Sequence, residues 1–193
     1  MARKNASAAI LDAAKACMID GDGSFEMMDV ATKAGVSEGL AYHYFKSKAG
    51  LVSAILRDFY QRYHDVMNER VPSHIDFRLR ERERLNHIIG FIYQEPLSAI
   101  IFGQMQGTAE AEAVDREMQQ ATIALSIRNL QSGIAQGVIP ERVDAELAAA
   151  AIMGLVRACT VAALTKQPRP DQAYVTDQLW QMISAILQLK DAE

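Results

Sequence analysis

The sequence has little cysteine, no long apolar segment and no excess of positive charge. Its 193 residues include two cysteines, Cys17 and Cys159, which lie far apart in apolar helical patterns. We interpret both as buried free thiols of a reducing compartment and not as a disulfide. The apolar run at 148–156 is too short and too rich in alanine to span a bilayer. Because the first ten residues contain no apolar signal core, we expect a cytoplasmic protein.

The scarcity of positive charge limits how the chain can bind nucleic acid. The formal net charge is −4, and residues 1–63 hold 8 Lys and Arg against 7 Asp and Glu. A general electrostatic attraction to phosphate is therefore excluded, and any nucleic-acid site must depend on where a few cations are placed. For such a site, Arg3, Lys4, Lys46 and Lys48 would have to lie together on one side of the fold.

Strand patterns are nearly absent, whereas apolar residues recur with the 3.6-residue period of helices throughout the chain. The sequence therefore predicts an all-α fold of about nine helices. The first helix ends before Gly21, and the fourth begins after its N-cap, Ser47. The other helices are predicted at about 26–34, 38–44, 75–94, 97–106, 110–136, 144–166 and 171–190.

Two short helical patterns meet at a Gly-Val-Ser break, which is the helix-turn-helix arrangement. Gly35 suits the left-handed backbone between the two helices, and Ser37 is a favourable N-cap for the second. We place the motif at about 27–46 and expect the N-terminal turn of its second helix to enter the major groove of DNA.

The motif also suggests a division of the chain into two domains. We predict a DNA-binding domain at 1–50 and a larger helical domain at 51–193. The fourth helix contributes to both halves, and Val71-Pro72-Ser73 breaks it.

A cluster of aromatic, histidine and lysine residues occupies the second helix of the motif and the turn after it. Tyrosine and lysine side chains there can donate to phosphate oxygens, although for Tyr44 helix packing is the alternative. Glu38 is suited to accept from a cytosine amino group, and Leu40 to pack on a thymine methyl. Gly39 lets the helix backbone approach the bases. The predicted DNA-binding residues are Ser37, Glu38, Gly39, Leu40, Tyr42, His43, Tyr44, Lys46 and Lys48.

Several fixed spacings in this region resemble those of the TetR family of bacterial transcriptional regulators. The matching segments are Val30-Ala31, Gly35-Val36-Ser37, Tyr42-x-Tyr44-Phe45 and Ser47-Lys48-x-x-Leu51. The resemblance covers about residues 8–56. It implies a homodimer with two DNA-binding heads, a four-helix bundle formed by the last two helices of each chain, and a pocket for a small inducer.

One position departs from the family pattern. Where family members usually have Thr or Ser at the start of the second helix, this chain has Phe25 and Glu26. Ser24 is then the expected cap of that helix. A phosphate contact at Glu26 would be repulsive, which reduces the expected share of the second helix in DNA binding.

The larger domain offers candidates for a ligand site but no metal pattern. The histidines His64, His74 and His87 include no i,i+4 pair and are accompanied by no cysteine, so we predict no metal site. Arg157 stands alone in an apolar helix and is expected to pair with an acidic side chain across a dimer, with an anionic ligand as the alternative. The candidate ligand-binding residues are His64, Phe91, Phe102, Met105, Met153 and Arg157, and core packing is the alternative for the apolar ones.

The run at 78–84 alternates arginine with glutamate. We interpret it as a solvated helix face with salt bridges, and a nucleic-acid patch is the alternative.

The last two helices carry apolar stripes wider than one core face requires. Small residues on the eighth helix permit close approach of a second helix. We therefore predict a dimer interface that includes Leu155, Ala162, Leu179, Met182, Ile183 and Ile186.

Together with these patterns, the resemblance to the TetR family implies a transcriptional repressor that binds a palindromic operator as a homodimer and is released by a largely apolar small-molecule inducer. An enzyme is disfavoured, since the sequence has no Ser/His/Asp or Cys/His arrangement and no phosphate loop; we predict no catalytic residue and no cofactor. The remaining alternative is an interaction protein with a degenerate DNA-binding head, which the weak net charge and Glu26 would suit.

Overall fold

The computed structural model describes residues 2–69, 76–104 and 109–189, without the side chains of 2–5, 104, 110 and 111. Over these ranges the chain is all-α and contains no strand, as the sequence predicts. The α-helices are α1 Ala2–Asp20, α2 Met27–Ala34, α3 Glu38–Phe45, α4 Lys48–Met67, α5 Phe77–Gln94, α6 Leu97–Ala99, α7 Ala109–Ala135, α8 Ala145–Leu164 and α9 Gln172–Ile186. The predicted break at Val71-Pro72-Ser73 lies outside the described residues.

The segment after Pro96 differs from the prediction of a single α-helix at 97–106. Three α-helical residues form α6, and the chain continues as a π-helical turn at Ile100–Gln104. Such turns are rare and short, and apolar periodicity does not distinguish them from α-helix over a few residues.

Capping residues account for where the helices begin and end. Gly35 adopts φ 67° and ends α2 in the left-handed conformation, while the Ser37 side chain accepts a hydrogen bond from the Leu40 N–H and starts α3. The Ser47 hydroxyl accepts from the Gly50 N–H at 2.9 Å and begins α4. Side-chain oxygens that cap backbone N–H groups each contribute about 1 kcal/mol to stability. Asp76, Asp144 and Asp171 cap α5, α8 and α9 in the same way.

The chain forms two compact units. The first unit consists of Met1–Arg62 with Pro96–Met118, and the second of Tyr63–Glu95 with Gln119–Glu193. Both α4 and α7 therefore contribute residues to each unit. The domain division at residue 50 stays a prediction.

In the first unit, α1 packs on α2 and α3 around a small apolar core. Ile10, Ala14, Val30, Ala41 and Leu51 are among its fully buried side chains. Burial of each larger side chain contributes about 1.5–3 kcal/mol. This core fixes the orientation of α2 and α3, which is what a helix-turn-helix requires.

The short α6 also belongs to the first unit and contacts α1. Gly23, in the turn after α1, has φ 94°, and a side chain added there would lie 3.2 Å from the Ile100 Cγ2 atom. The turn between α1 and α2 is therefore packed directly against the start of the π-helical segment.

The second unit is built from the end of α4, from α5, from most of α7 and from α8 and α9. Helix α9 packs against both α5 and α8. Its core is aliphatic and includes Ile88, Ile92, Ile152, Val156 and Leu179. This core surrounds the cavity described below.

Candidate nucleic-acid interface and ligand cavity

Helix α3 has one anchored face and one exposed face. Ala41 is completely buried (0% exposed), which holds the helix on α1 and α2. Glu38, Gly39 and His43 are exposed, and Tyr42 is 43% exposed. Polar side chains and a glycine thus share the solvent side of an eight-residue helix, where a base-reading surface requires them.

The N-terminal end of α3 presents polar groups to solvent. Ser37 is exposed and holds the Leu40 N–H at 3.3 Å, so this part of the backbone is fixed by the cap. Leu40 is half-buried. No atom comes within 4 Å of where a Cβ on Gly39 would stand, so the described chain leaves this part of the surface open.

The cationic residues after α3 are held by neighbouring groups. Lys46 has φ 68°, and its ammonium donates to the His43 carbonyl at 2.8 Å. Lys48 Nζ donates to Glu26 Oε1 at 3.0 Å and lies 5.6 Å from the Phe25 ring centre. Tyr44 is half-buried and meets the His43 ring edge-on, with ring centres 5.6 Å apart. The side chains of Arg3 and Lys4 lie outside the description.

At the start of α2, Phe25 and Glu26 occupy the positions where TetR-family members usually have Thr or Ser. Phe25 is buried, and Glu26 stands at the N-cap position without making a side-chain cap. The expectation that Ser24 caps α2 is wrong, because its hydroxyl donates instead to the Gly21 carbonyl at 3.0 Å. Glu26 thus remains available for Lys48.

A cavity of about 70 Å³ lies in the second unit, between α4, α5, α7, α8 and α9. Its walls are mostly apolar, with Met67, Leu85, Ile88 and Met153 among them. Of the six candidate ligand residues, Met153 lines this cavity.

The other candidate ligand residues are dispersed. The His64 ring nitrogen lies 2.8 Å from the Thr122 hydroxyl, and burial lowers the pKa of His64. Phe91 packs on Tyr63 with ring centres 5.9 Å apart. Phe102 belongs to the first unit, where it meets the ring of Phe59. Met105 lies outside the described residues.

Arg157 is half-buried on α8 in the second unit. Burial raises the pKa of the fully enclosed Tyr63, and the charge of Arg157 acts in the opposite direction. Arg157 therefore lies close enough to Tyr63 for its positive charge to act on the pKa of the tyrosine hydroxyl.

Sequence reasoning missed the charged residues at the cavity. Arg80, Glu81 and Arg84 were expected on a solvated helix face, and that expectation is wrong for these three. Their side chains are only 14–18% exposed, and Glu81 and Arg84 line the cavity. The i,i+4 spacing of the two arginines and their phase with the buried Phe77 and Leu85 were the available signal.

The predicted dimer residues occupy different depths. Leu179 and Ile183 are buried in the protomer itself, at 1% and 5% exposure. Leu155 and Ile186 are half-buried, while Ala162 and Met182 are exposed. The exposed side of α8 instead forms a stripe of apolar and small residues, made up of Leu147, Ala151, Gly154, Ala158 and Ala162.

Helix α8 is also long and strongly apolar. Among the described helices, it is the one long and apolar enough to cross a membrane by length and composition alone, a test that core helices of soluble proteins also pass.

Within the described part of the chain, no group of three or more His, Cys, Asp or Glu residues is arranged to hold a metal ion.

Residues 10–55 match the family model described as "Bacterial regulatory proteins, tetR family". Among curated proteins, none matches the chain. Solved structures, by contrast, resemble it along almost its whole length.

A protein from Syntrophomonas wolfei assigned to the TetR-family transcriptional regulators has 17% identity and a TM-score of 0.81, with 100% of each chain covered. One from Rhodococcus sp. with the same assignment has 20% identity and a TM-score of 0.80, covering 95% of this chain and 99% of its own.

A third similar structure is the transcriptional regulator FadR from Bacillus subtilis, solved in complex with stearoyl-CoA. It has 18% identity and a TM-score of 0.75, and the match covers 92% of this chain and 97% of FadR. At these identities the likeness establishes the fold. Residues 10–55 of this chain therefore match the tetR family model, and the chain as a whole has the fold of these solved TetR-family structures.

Proposed function

We propose that this protein is a ligand-responsive transcriptional repressor that binds a palindromic operator as a homodimer. The observation that carries the proposal is the solvent side of α3, where Glu38, Gly39, Tyr42 and His43 are exposed while Ala41 is buried. We assign DNA binding to residues 1–50, and ligand binding and dimerisation to 51–193. Since its proposed binding partner is chromosomal DNA, we place the protein in the cytoplasm.

The proposed docking inserts the N-terminal turn of α3 into the major groove. Glu38 and Leu40 then face base edges, and Gly39 permits close approach of the helix backbone. Tyr42, Lys46 and Lys48 donate to phosphates, together with Ser37 and His43 at the edges of the surface. We include Tyr44, which is half-buried, as a further phosphate donor.

The proposed dimer uses the exposed stripe of α8 with the exposed residues of α9. Leu147 is 72% exposed and Met182 is 40% exposed, which is unusual for such large apolar side chains on one surface. The small residues Ala151, Gly154 and Ala158 permit close helix–helix approach. Because Leu179 and Ile183 are buried within the protomer, we propose that they support this surface from behind.

For a ligand to release the protein from DNA, it must bind the DNA-binding and the released conformations with different affinities. Gly23 and Ile100 lie against each other within the first unit, so a displacement of the π-helical segment at Ile100–Gln104 would act on the turn between α1 and α2. FadR, with the same fold, was solved with stearoyl-CoA, which makes a ligand-responsive role reasonable for this chain.

The test of DNA binding is selection of random duplex DNA by the purified protein, followed by sequencing. We expect enrichment of one palindrome with two half-sites. A pool that stays random at moderate salt would contradict operator binding. That outcome would favour the second candidate function, an interaction protein with a degenerate head, to which the Lys48–Glu26 pair lends support.

The test of the dimer is light scattering. We expect a mass of twice 21.3 kDa for the unmodified chain, and 21.3 kDa for Gly154→Arg, because a long charged side chain in the α8 stripe separates the helices. The matched control is Gln136→Arg, at an exposed position just after α7, which should remain dimeric. An unmodified chain of monomeric mass would contradict the proposal.

A further inference from the structure

Two arginines share one carboxylate at the wall of the cavity in the second unit. Arg84 Nη1 donates to both carboxylate oxygens of Glu81, and Arg80 Nε donates to Glu81 Oε1 at 3.2 Å. The three side chains thus carry one net positive charge at a site that is mostly shielded from water. Such a charge is costly to bury without a further partner.

The arginine at the cavity also has an unused donor. Arg84 Nε is buried and has no hydrogen-bond partner among the described residues. A buried N–H of a charged group without a partner is expensive, and native proteins rarely leave one. Because the Arg84 Nε atom has almost no surface open to the cavity, the net charge is what favours a negatively charged ligand.

The rest of the cavity indicates what that acceptor is attached to. Its walls are largely aliphatic, with Met67, Ile88 and Met153 among them, and the hydroxyl of Ser126 and the amide of Asn129 supply the remaining polar groups. We propose that this cavity binds a small organic monocarboxylate, whose carboxylate meets Arg84 and whose apolar body lies along the methionines. The inference deepens the proposed function by naming the chemical class of its inducer.

The size of the cavity limits the length of the ligand. Its volume of about 70 Å³ is less than half of the roughly 150 Å³ in which an apolar cavity accepts benzene. A short ligand is therefore accommodated only when flexible side chains move, and methionine, with three rotatable bonds, moves most easily. One net positive charge also matches one carboxylate and not the several charges of an acyl-coenzyme A.

Trp180 provides the measurement. It is the one tryptophan of the sequence and it lines the cavity, so its fluorescence reports binding directly. The probe is hexanoate, compared with hexanamide, which has the same shape without the charge, and with hexylamine, which carries the opposite charge. We expect a saturable change with hexanoate, an affinity for hexanamide lower by about tenfold or more, and no response to hexylamine.

Substitutions test which arginine recognises the carboxylate of the ligand. Arg84→Met should abolish the preference for hexanoate over hexanamide, whereas Arg82→Met, an exposed arginine on the same helix, should retain it. Glu81→Gln leaves the two guanidiniums without their carboxylate, so hexanoate should raise its melting temperature more than that of the unmodified protein. If Arg84→Met does not fold, the comparison of hexanoate with hexanamide on the unmodified chain still decides.

Equal affinities for hexanoate and hexanamide, or tighter binding of stearoyl-CoA than of hexanoate, would overturn the inference. Neither result affects the selection of operator DNA, which uses no ligand. Conversely, failure to select a palindrome leaves the fluorescence titration intact, because that titration measures the protein without DNA. The two proposals therefore fail separately.

Discussion

The molecule contains two pairs of a cation with a glutamate that differ mainly in their exposure. Lys48 and Glu26 lie on the surface of the helix-turn-helix region, with side chains 43% and 75% exposed. Arg84 and Glu81 lie at the cavity, with side chains 15% and 14% exposed. Water and salt weaken the first pair, so it is easily exchanged for another partner, whereas the second pair is costly to break.

This difference separates two ways of binding an anion. On the surface, the phosphate of the proposed DNA complex would displace Glu26 from Lys48 at little cost. In the cavity, Glu81 would stay in place, and the proposed ligand anion would be attracted because Arg80 adds a second positive charge. The first arrangement suits reversible, salt-dependent contact with DNA, and the second suits a small ligand that is held away from water.

The largest expected effect concerns the buried pair. Glu81→Gln removes the counterion of two mostly buried guanidiniums, and we expect it to lower the free energy of unfolding by about 3 kcal/mol. Glu83→Gln is the control, because Glu83 is exposed on the same helix; we expect a change below about 0.5 kcal/mol. Urea denaturation at neutral pH measures both. Equal effects of the two substitutions would mean that the burial of Glu81 has no energetic importance.

The second prediction uses a residue without a side chain. Gly39→Ala places a methyl group in open space on a helix, so stability should stay the same or rise by a few tenths of a kcal/mol. Its affinity for the selected operator should nevertheless fall by about tenfold, since the methyl group would separate α3 from the base edges. Thermal melting and a DNA-binding titration give the two values. An unchanged affinity would show that the backbone of α3 does not approach the bases.

The third prediction concerns the surface cation itself. Lys48→Ala should weaken binding to all DNA sequences by several-fold and reduce the slope of log affinity against log salt by about 1. Lys166→Ala removes an equal charge from an exposed site after α8 and should change neither value. Titrations at several salt concentrations distinguish a phosphate contact from a general charge effect. If both variants lose affinity equally, net charge and not position determines binding.

The smallest expected effect concerns the exposed glutamate. Glu26→Gln frees Lys48 and removes a negative charge beside the proposed phosphate site, so operator affinity should increase by about two- to threefold. Stability should change by less than about 0.5 kcal/mol, in contrast to Glu81→Gln. The same titration and denaturation experiments apply. A loss of affinity would mean that Glu26 positions Lys48 for DNA and does not compete with it.

Much of the fold follows from local sequence signals. Gly35, Ser37 and Ser47 mark helix boundaries because each meets a backbone requirement that few other residues satisfy as well. The predicted helices beyond residue 75 start within about two residues of the observed ones, because proline and glycine breaks separate them. In the structure, Asp76, Asp144 and Asp171 cap three of these helices. The exposed side of α3 also follows, because one small buried residue, Ala41, defines its inner face.

The cavity was beyond the reach of these signals. Arg80, Glu81 and Arg84 have the spacing of an ordinary surface salt-bridge network. Their phase with Phe77 and Leu85 indicates the inner side of α5, but the packing of other helices decides that they are enclosed. The burial of Leu179 and Ile183 within the protomer could not be predicted either, since an apolar stripe does not show whether it faces the core of its own chain or a partner chain. The π-helical turn at Ile100–Gln104 has no local sequence rule.

The anchoring of α3 has a consequence for how such a regulator can acquire new targets. Eight residues are too few to remain helical alone, so α3 cannot be transplanted by itself and takes its shape from its caps and from Ala41. The exposed side chains of Glu38 and His43, in contrast, contribute little to that anchoring. Substitutions there cost the fold little, and under the proposed function a lineage can change from one binding site to another while the scaffold stays intact.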